Sequence, residues 1–239
     1  MIERHLLKLR ARDTVSPEEE QAIRDSVAEV RSFRADEIVV HAGRVATYSV
    51  LLIDGILCRY KDLSDGERQI TELHVPGDFA DLHSFTLKRL DHSVMTLTPA
   101  RAALVPHEKL EQITERFPHL TRLYWFTTNI DAAIHREWEV SLGRRSALSR
   151  VAALFCEIKV RLDIVGLTDG MSYDFNLTQT DVAECVGLTS IHVNRTLKQL
   201  REQGLVQFKG GRVTIHDWNG LARVAEFDPA YLYLEPLHL

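Results

Sequence analysis

Residues 177–216, LTQTDVAECVGLTSIHVNRTLKQLREQGLVQFKGGRVTIH, decide how this chain is read. Thr178 with Asp181 three residues on places a hydroxyl and a carboxylate where the free amides of a helix start need acceptors. Val182, Ala183 and Val186 give that helix one apolar face, and Gly187 follows where a chain leaving a helix takes a positive φ. Thr189 then caps a second helix, in which Val193, Leu197 and Leu200 recur at steps of four and three and face a core. Its opposite face is Ser190, Ile191, Asn194, Arg195 and Lys198. After Gly204, the runs LVQF and RVTIH flank Lys209-Gly210-Gly211 as a two-stranded hairpin. Helix, turn, helix and hairpin in this order predict a winged helix-turn-helix.

The outer face of the second helix has the chemistry of a major-groove reader. Arg195 pairs bidentately with guanine O6 and N7, Asn194 bonds to adenine, and Ile191 suits a thymine methyl. Lys209 and Arg212, on the hairpin, are placed to reach phosphates. An ordinary helical hairpin with a solvated polar face is the plain alternative. It leaves unexplained why capped helix, glycine turn, polar outer face and basic hairpin occur together. Double-stranded DNA is therefore the expected partner.

Charge distribution agrees. The 239 residues carry a net charge of −5, the wrong sign for indiscriminate binding to nucleic acid. Residues 143–216, however, carry 10 Lys and Arg against 7 Asp and Glu, whereas residues 1–142 carry 18 against 23. Only one end is built to meet phosphate. Cys58, Cys156 and Cys185 stand far apart with no metal-ligand spacing, which suggests structural thiols in a reducing compartment. With no secretory h-region and no 18-residue apolar run, a cytoplasmic protein without a membrane partner is expected.

Working outward, Ser16-Pro17-Glu18-Glu19 predicts a helix over 17–29. From Phe33 to Pro106, short apolar runs alternate with turn signals at Gly43, Asp54-Gly55, Asp65-Gly66 and Pro76-Gly77-Asp78. That rhythm predicts an antiparallel β-roll, or jelly roll. A long helix follows over 118–142, in which Leu120, Leu123, Thr127, Ile130 and Ile134 keep a 3,4 spacing. This seam suits a coiled-coil contact between two subunits, or equally packing on the chain's own β domain. Gly143-Arg144-Arg145 breaks it before another amphipathic helix. The expected architecture is α+β: a sensor-like domain at 1–117, a dimerisation helix at 118–142, and the winged helix-turn-helix with its tail at 143–239.

This order of parts resembles the Crp/Fnr family of bacterial transcription regulators over nearly the whole chain. The resemblance rests on FRADEIVVHAG, LLIDGILCRYKDLSDGERQI, VPGDF, LGRRSALSRVAALF and VGLTSIHVNRTLKQLREQGLV. It implies a homodimer joined through the long helix, a palindromic operator read by two recognition helices, and RNA polymerase as a further partner if the protein activates. It assigns base reading to Ser190, Ile191 and Arg195, and backbone contacts to Thr178, Gln179, Thr189 and His192, with Lys198 beside them. Well-studied members carry glutamate where Ile191 stands. Isoleucine cannot accept from cytosine N4, so the operator should differ at the paired base.

The sensor also departs from the family pattern. Cyclic-nucleotide-binding members place a Gly-Glu-Leu turn after PGDF and bind the phosphate with a later Arg-Ser or Arg-Ala pair. Here the chain reads PGDFADLHSFTLKRLDHSVMTL, with Asp81 as the nearby acid and His92-Ser93 in place of the arginine pair. A neutral histidine is a poor substitute for that charge-assisted contact, so cyclic AMP is not the expected effector. Three cysteines exclude a four-thiolate iron–sulfur cluster. Haem on His74, His83 or His92 is an alternative, and an effector pocket is assigned to His74, Asp81, His83, His92 and Ser93. A cupin-like metalloenzyme would need a His-x-His pair, and none occurs. No cofactor is predicted.

Overall fold

The computed structural model describes residues 1–236. Two N-terminal helices, α1 (Glu3–Arg10) and α2 (Pro17–Asp25), precede the strands β1 (Glu29–Phe33), β2 (Ile38–Val40), β3 (Tyr48–Asp54), β4 (Leu57–Asp62) and β5 (Arg68–His74). A short helix α3 (Ser84–Leu87) leads to β6 (Ser93–Thr96) and β7 (Ala100–Pro106). All pairings are antiparallel, in two sheets ordered β1-β7-β3 and β2-β6-β4-β5. The expected β-roll is present, beginning four residues earlier than the sequence predicts. Ser16 and Glu19 form the reciprocal capping box of α2, but that helix stops at Asp25 rather than 29 because the following residues are taken up as β1, paired to β7.

The two sheets face each other across Phe33, Val50, Leu52, Leu57, Val94, Ala102 and Leu104. Behind β3 and β7 a second apolar layer unites Leu6 of α1 and Leu51 with helices α4 (His107–Arg116) and α5 (Pro118–Arg144). The turn Pro76-Gly77-Asp78 ties these layers together. Gly77 has φ +98°, and a Cβ there would lie 2.8 Å from the Arg4 carbonyl oxygen, so only glycine permits this approach.

After Arg144, Ser146 caps α6 (Ala147–Ile164) by accepting from the Ser149 amide. The break is thus shorter than the sequence suggests, with Gly143 and Arg144 still helical. The C-terminal module comprises β8 (Thr168–Asp169), β9 (Ser172–Asp174), α7 (Gln179–Val186), α8 (Ser190–Glu202), β10 (Val206–Lys209), β11 (Arg212–Ile215) and α9 (Trp218–Ala225). Its sheet runs β10-β11-β9-β8. Strands β8 and β9 enlarge the predicted two-stranded wing to four.

One apolar core runs from the outer face of β4 and β5 (Cys58, Tyr60, Ile70, Leu73) through Trp138 of α5 into Phe155, Phe175, Val182 and Val193. Polar contacts fasten the same junction. Asp78 accepts from Lys8 of α1 and from Arg161 of α6, the latter at 2.9 Å. Glu157, 2 % exposed, accepts from Trp138 Nε1, Arg161 Nη1 and the Tyr231 hydroxyl at 2.8–3.0 Å. The C-terminal segment is thereby strapped to the helix that joins the two halves. Among the described residues no helix is long and apolar enough to cross a membrane.

Candidate nucleic-acid interface and effector cavity

Helix α7 begins as its sequence requires. Thr178 Oγ1 accepts from the Asp181 amide at 3.1 Å, and Asp181 accepts from the Thr178 amide at 2.7 Å. Gly187 leaves α7 with φ +60°, a cap an L-residue adopts only under strain. Thr189 Oγ1 accepts from the His192 amide and starts α8. Val193 and Leu200 are fully buried, and Leu197 packs on the same core.

On the opposite face of α8, Ile191 is 69 % exposed, with His192, Asn194, Arg195 and Lys198 also exposed and Ser190 partly so. Ile191 is thus free to meet a partner, in the company of the polar side chains around it. Asn194 donates to Gln179 Oε1 at 3.2 Å, and the Ser190 and Thr180 hydroxyls lie 3.3 Å apart, so α7 and α8 present their polar ends as one surface. Lys198 makes only a loose i,i+4 pair with Glu202 at 3.7 Å, and Arg195 has no ion pair among the described residues.

The wing turns on Gly210 and Gly211, both at positive φ, with Lys209 paired to Arg212 across the hairpin. Lys209 stays exposed. Arg212 does not hang free as the sequence suggests: it bonds Asp174 at 2.8 Å and Asp169 at 3.1 Å. Those acids lie on strands absent from the predicted wing.

The long helix corrects a larger expectation. Leu120 and Leu123 are fully buried against the β-roll side, Ile134 is 2 % exposed, and Thr127 and Ile130 line a small apolar cavity with Leu9 and Arg12. The 3,4 seam is therefore packed on the chain's own domains. The face left to solvent is Arg122, Trp125, Asn129, Ala132, Arg136, Glu139 and Gly143, which also recur at alternating steps of three and four. Trp125 is 69 % exposed.

Between that helix and the β-roll lies an open cavity of about 810 Å³. His83 and His92 line it, as expected. Asp81 and His74 do not: Asp81 is buried and accepts from the Val50 amide at 2.6 Å, and His74 lies behind the wall beside Glu72. Ser93 instead accepts from the Ala42 amide at 3.1 Å. The residues missed are Arg59, Thr128, Asp131 and His135. An arginine inside the apolar run ILCRY, and an aspartate inside an apolar helix, were the available signals.

Arg59 is engaged at all three of its nitrogens. Its Nε donates to the Ala80 carbonyl at 2.7 Å, Nη1 to Glu72 at 2.6 Å and Nη2 to Asp131 at 2.8 Å. Burial alone would raise Glu72, but the Arg59 guanidinium outweighs it and holds that carboxyl well below the usual range. Burial, with Glu72 beside it, pushes Asp131 up to about 6. Lys61 is paired with Asp91 at 2.6 Å. Burial, then Arg59, lowers His83 to about 3, and burial also lowers His92, so both imidazoles are neutral near pH 7. Each guanidinium nitrogen of Arg59 already serves an acceptor within the chain, so the group is held in place rather than free to turn toward a phosphate.

Comparison with known proteins bears on both halves. The profile of the Crp-like helix-turn-helix domain matches residues 149–224, and that of the cyclic nucleotide-binding domain matches residues 30–117. The transcriptional activator protein FnrL of Cereibacter sphaeroides is 28% identical over 202 residues, covering 82% of this chain and 80% of its own. The nitrogen fixation regulation protein FixK of Bradyrhizobium diazoefficiens is 29% identical over 191 residues, 77% of each. Among solved structures, FixK2 from Bradyrhizobium japonicum superimposes with a TM-score of 0.76 at 27% identity, covering 83% of this chain and 97% of that one.

Proposed function

This chain belongs to the Crp/Fnr family of DNA-binding transcription regulators, and on that premise we propose that it acts as a homodimer on a two-fold operator. The observation that carries the reading is the exposed face of α8, where Ile191, Asn194 and Arg195 project unpacked beyond a helix held by Val193 and Leu200. Ser190, Ile191, Asn194 and Arg195 read bases. Thr178, Gln179, Thr189, His192, Lys198 and Lys209 hold the backbone, with Arg212 bracing the wing rather than meeting phosphate first. Dimerisation uses the solvent face of α5 centred on Trp125. Its heptad-like spacing and the small residues Ala132 and Gly143 favour close approach of a second copy. The protein works in the cytoplasm without catalysing a reaction, and RNA polymerase is its further partner where it activates.

The cavity beside α5 is the altered sensor. Its arginine is consumed by Glu72 and Asp131, so cyclic AMP does not tighten operator binding. The deciding experiment selects sites from random duplex DNA with the purified protein, then titrates the winner at fixed salt with Arg195→Ala. Loss of about 1–3 kcal/mol with relaxed preference at one base pair per half-site supports the assignment. Equal weakening on all sequences would move Arg195 to the phosphate backbone. A selected site without two-fold symmetry would refute the dimeric reading.

A further inference from the structure

His83 and His92 meet at the cavity wall with their Nε2 atoms 3.4 Å apart and their ring centres 5.3 Å apart. Two imidazoles binding one cation at 2.0–2.1 Å with a tetrahedral angle place their nitrogens about 3.3–3.4 Å apart and their ring centres about 5.3 Å apart. The two Nε2 atoms share one hydrogen bond, and a cation would take the place of its proton between them. His92 Nδ1 lies 3.0 Å from Asp91 Oδ1, which makes Nδ1 the protonated nitrogen and turns the Nε2 lone pair toward His83. We propose that His83 and His92 form a two-imidazole corner that binds a divalent first-row transition cation, with Asp91 orienting one ring.

The surroundings have the right sign. The lining sets Arg59 and Lys61 against Asp91, Asp131 and Glu139, a formal excess of one carboxylate, and Glu72 stands behind Arg59. Among the described residues no cluster of three or more metal-ligating side chains occurs, so the protein supplies two ligands and leaves the other positions to water or to a small molecule in the cavity. Imidazole donors suit zinc, nickel, cobalt or copper rather than magnesium or calcium. The proposal concerns binding alone and stands whether or not the cavity governs DNA affinity.

Calorimetric titration of the tag-free, full-length protein with Zn²⁺ at neutral pH tests it, alongside His83→Gln, His92→Gln, Asp91→Asn and the distant control His216→Ala. The expected result is one site per chain, abolished by either glutamine variant, weakened about tenfold by Asp91→Asn and unchanged in the control. Glutamine keeps polarity and bulk at both partly buried positions, and a thermal melt without metal checks that each variant is folded. Absence of a one-per-chain site in the unaltered protein, or a site that survives His83→Gln in folded protein, would overturn the proposal.

Discussion

Replacing Arg59 by methionine tests whether the cavity's arginine is a structural counter-ion or a free ligand clamp. Methionine keeps an unbranched apolar stem but removes the three donors now bonded to Ala80, Glu72 and Asp131. Asp131 is 17 % exposed and can be rehydrated, so its share is small. Glu72 is 0 % exposed and would be left buried without its guanidinium. Removing one partner of such a pair costs about 3–5 kcal/mol. Adding Glu72→Gln removes the stranded charge, so the double variant should recover at least about 2 kcal/mol of that loss. The pH dependence has a definite sign. In the unaltered protein, the depressed Glu72 contributes stability that is present above its unfolded value and lost as pH falls. Without Arg59, burial raises Glu72, and its penalty disappears as acid protonates it. The gap between the two proteins therefore narrows from pH 7 to pH 4.5. Urea unfolding followed by tryptophan fluorescence, at one protein concentration because the proposed dimer would make stability concentration-dependent, measures all of this. A loss below about 1 kcal/mol at pH 7, or a double variant no better than the single one, would refute the counter-ion role and make Arg59 available as a phosphate ligand.

Three other perturbations separate neighbouring readings. Trp125→Ala should weaken self-association by about 2 kcal/mol or more, roughly 30-fold in Kd, by sedimentation equilibrium; an unchanged dimer would move the interface elsewhere. Asp81→Asn addresses a carboxyl that burial raises from 3.8 to about 6 while one oxygen lacks a partner. Such a group keeps its proton in the folded protein up to about pH 6 but loses it near pH 4 when unfolded, so stability falls as pH rises between those values. Relative to the unaltered protein, the variant should gain about 2–3 kcal/mol between pH 4 and pH 7, and a flat difference across that range would contradict the assignment. Ile191→Glu should restore an acceptor for cytosine N4 and shift the selected half-site at one base pair, with about 1–3 kcal/mol of discrimination. Identical selected sites for both proteins would take Ile191 out of the base-reading set.

What could be read from sequence follows the range of the forces involved. Thr178 with Asp181, Ser16 with Glu19, and Gly187 act within a turn of chain, so their residue types and spacing suffice. The winged helix-turn-helix was legible for that reason, down to the outward face of α8. Arg212 was misread because Asp169 and Asp174 come from outside the hairpin. Arg59 is harder still, with one partner 13 residues away and another 72.

Helix α5 marks the limit most sharply, because a 3,4 repeat identifies a stripe without saying what covers it. Leu120, Leu123 and Ile134 form one such stripe and are covered by this chain; Arg122, Trp125 and Asn129 form another and are bare. Thr128, Asp131 and His135 open onto the cavity between them. One helix thus has a face in the core, a face toward solvent and a face toward the cavity. Its far end, through Trp138 and Glu157, shares the core of the DNA-binding module. A ligand bound differently in two positions of α5 would bias pairing of the copies and the seating of α7 and α8 together. That coupling requires only that the cavity and the bare stripe lie on the same rigid element, and Ala132, Glu139 and Gly143, which belong to the bare stripe and also line the cavity, place them there.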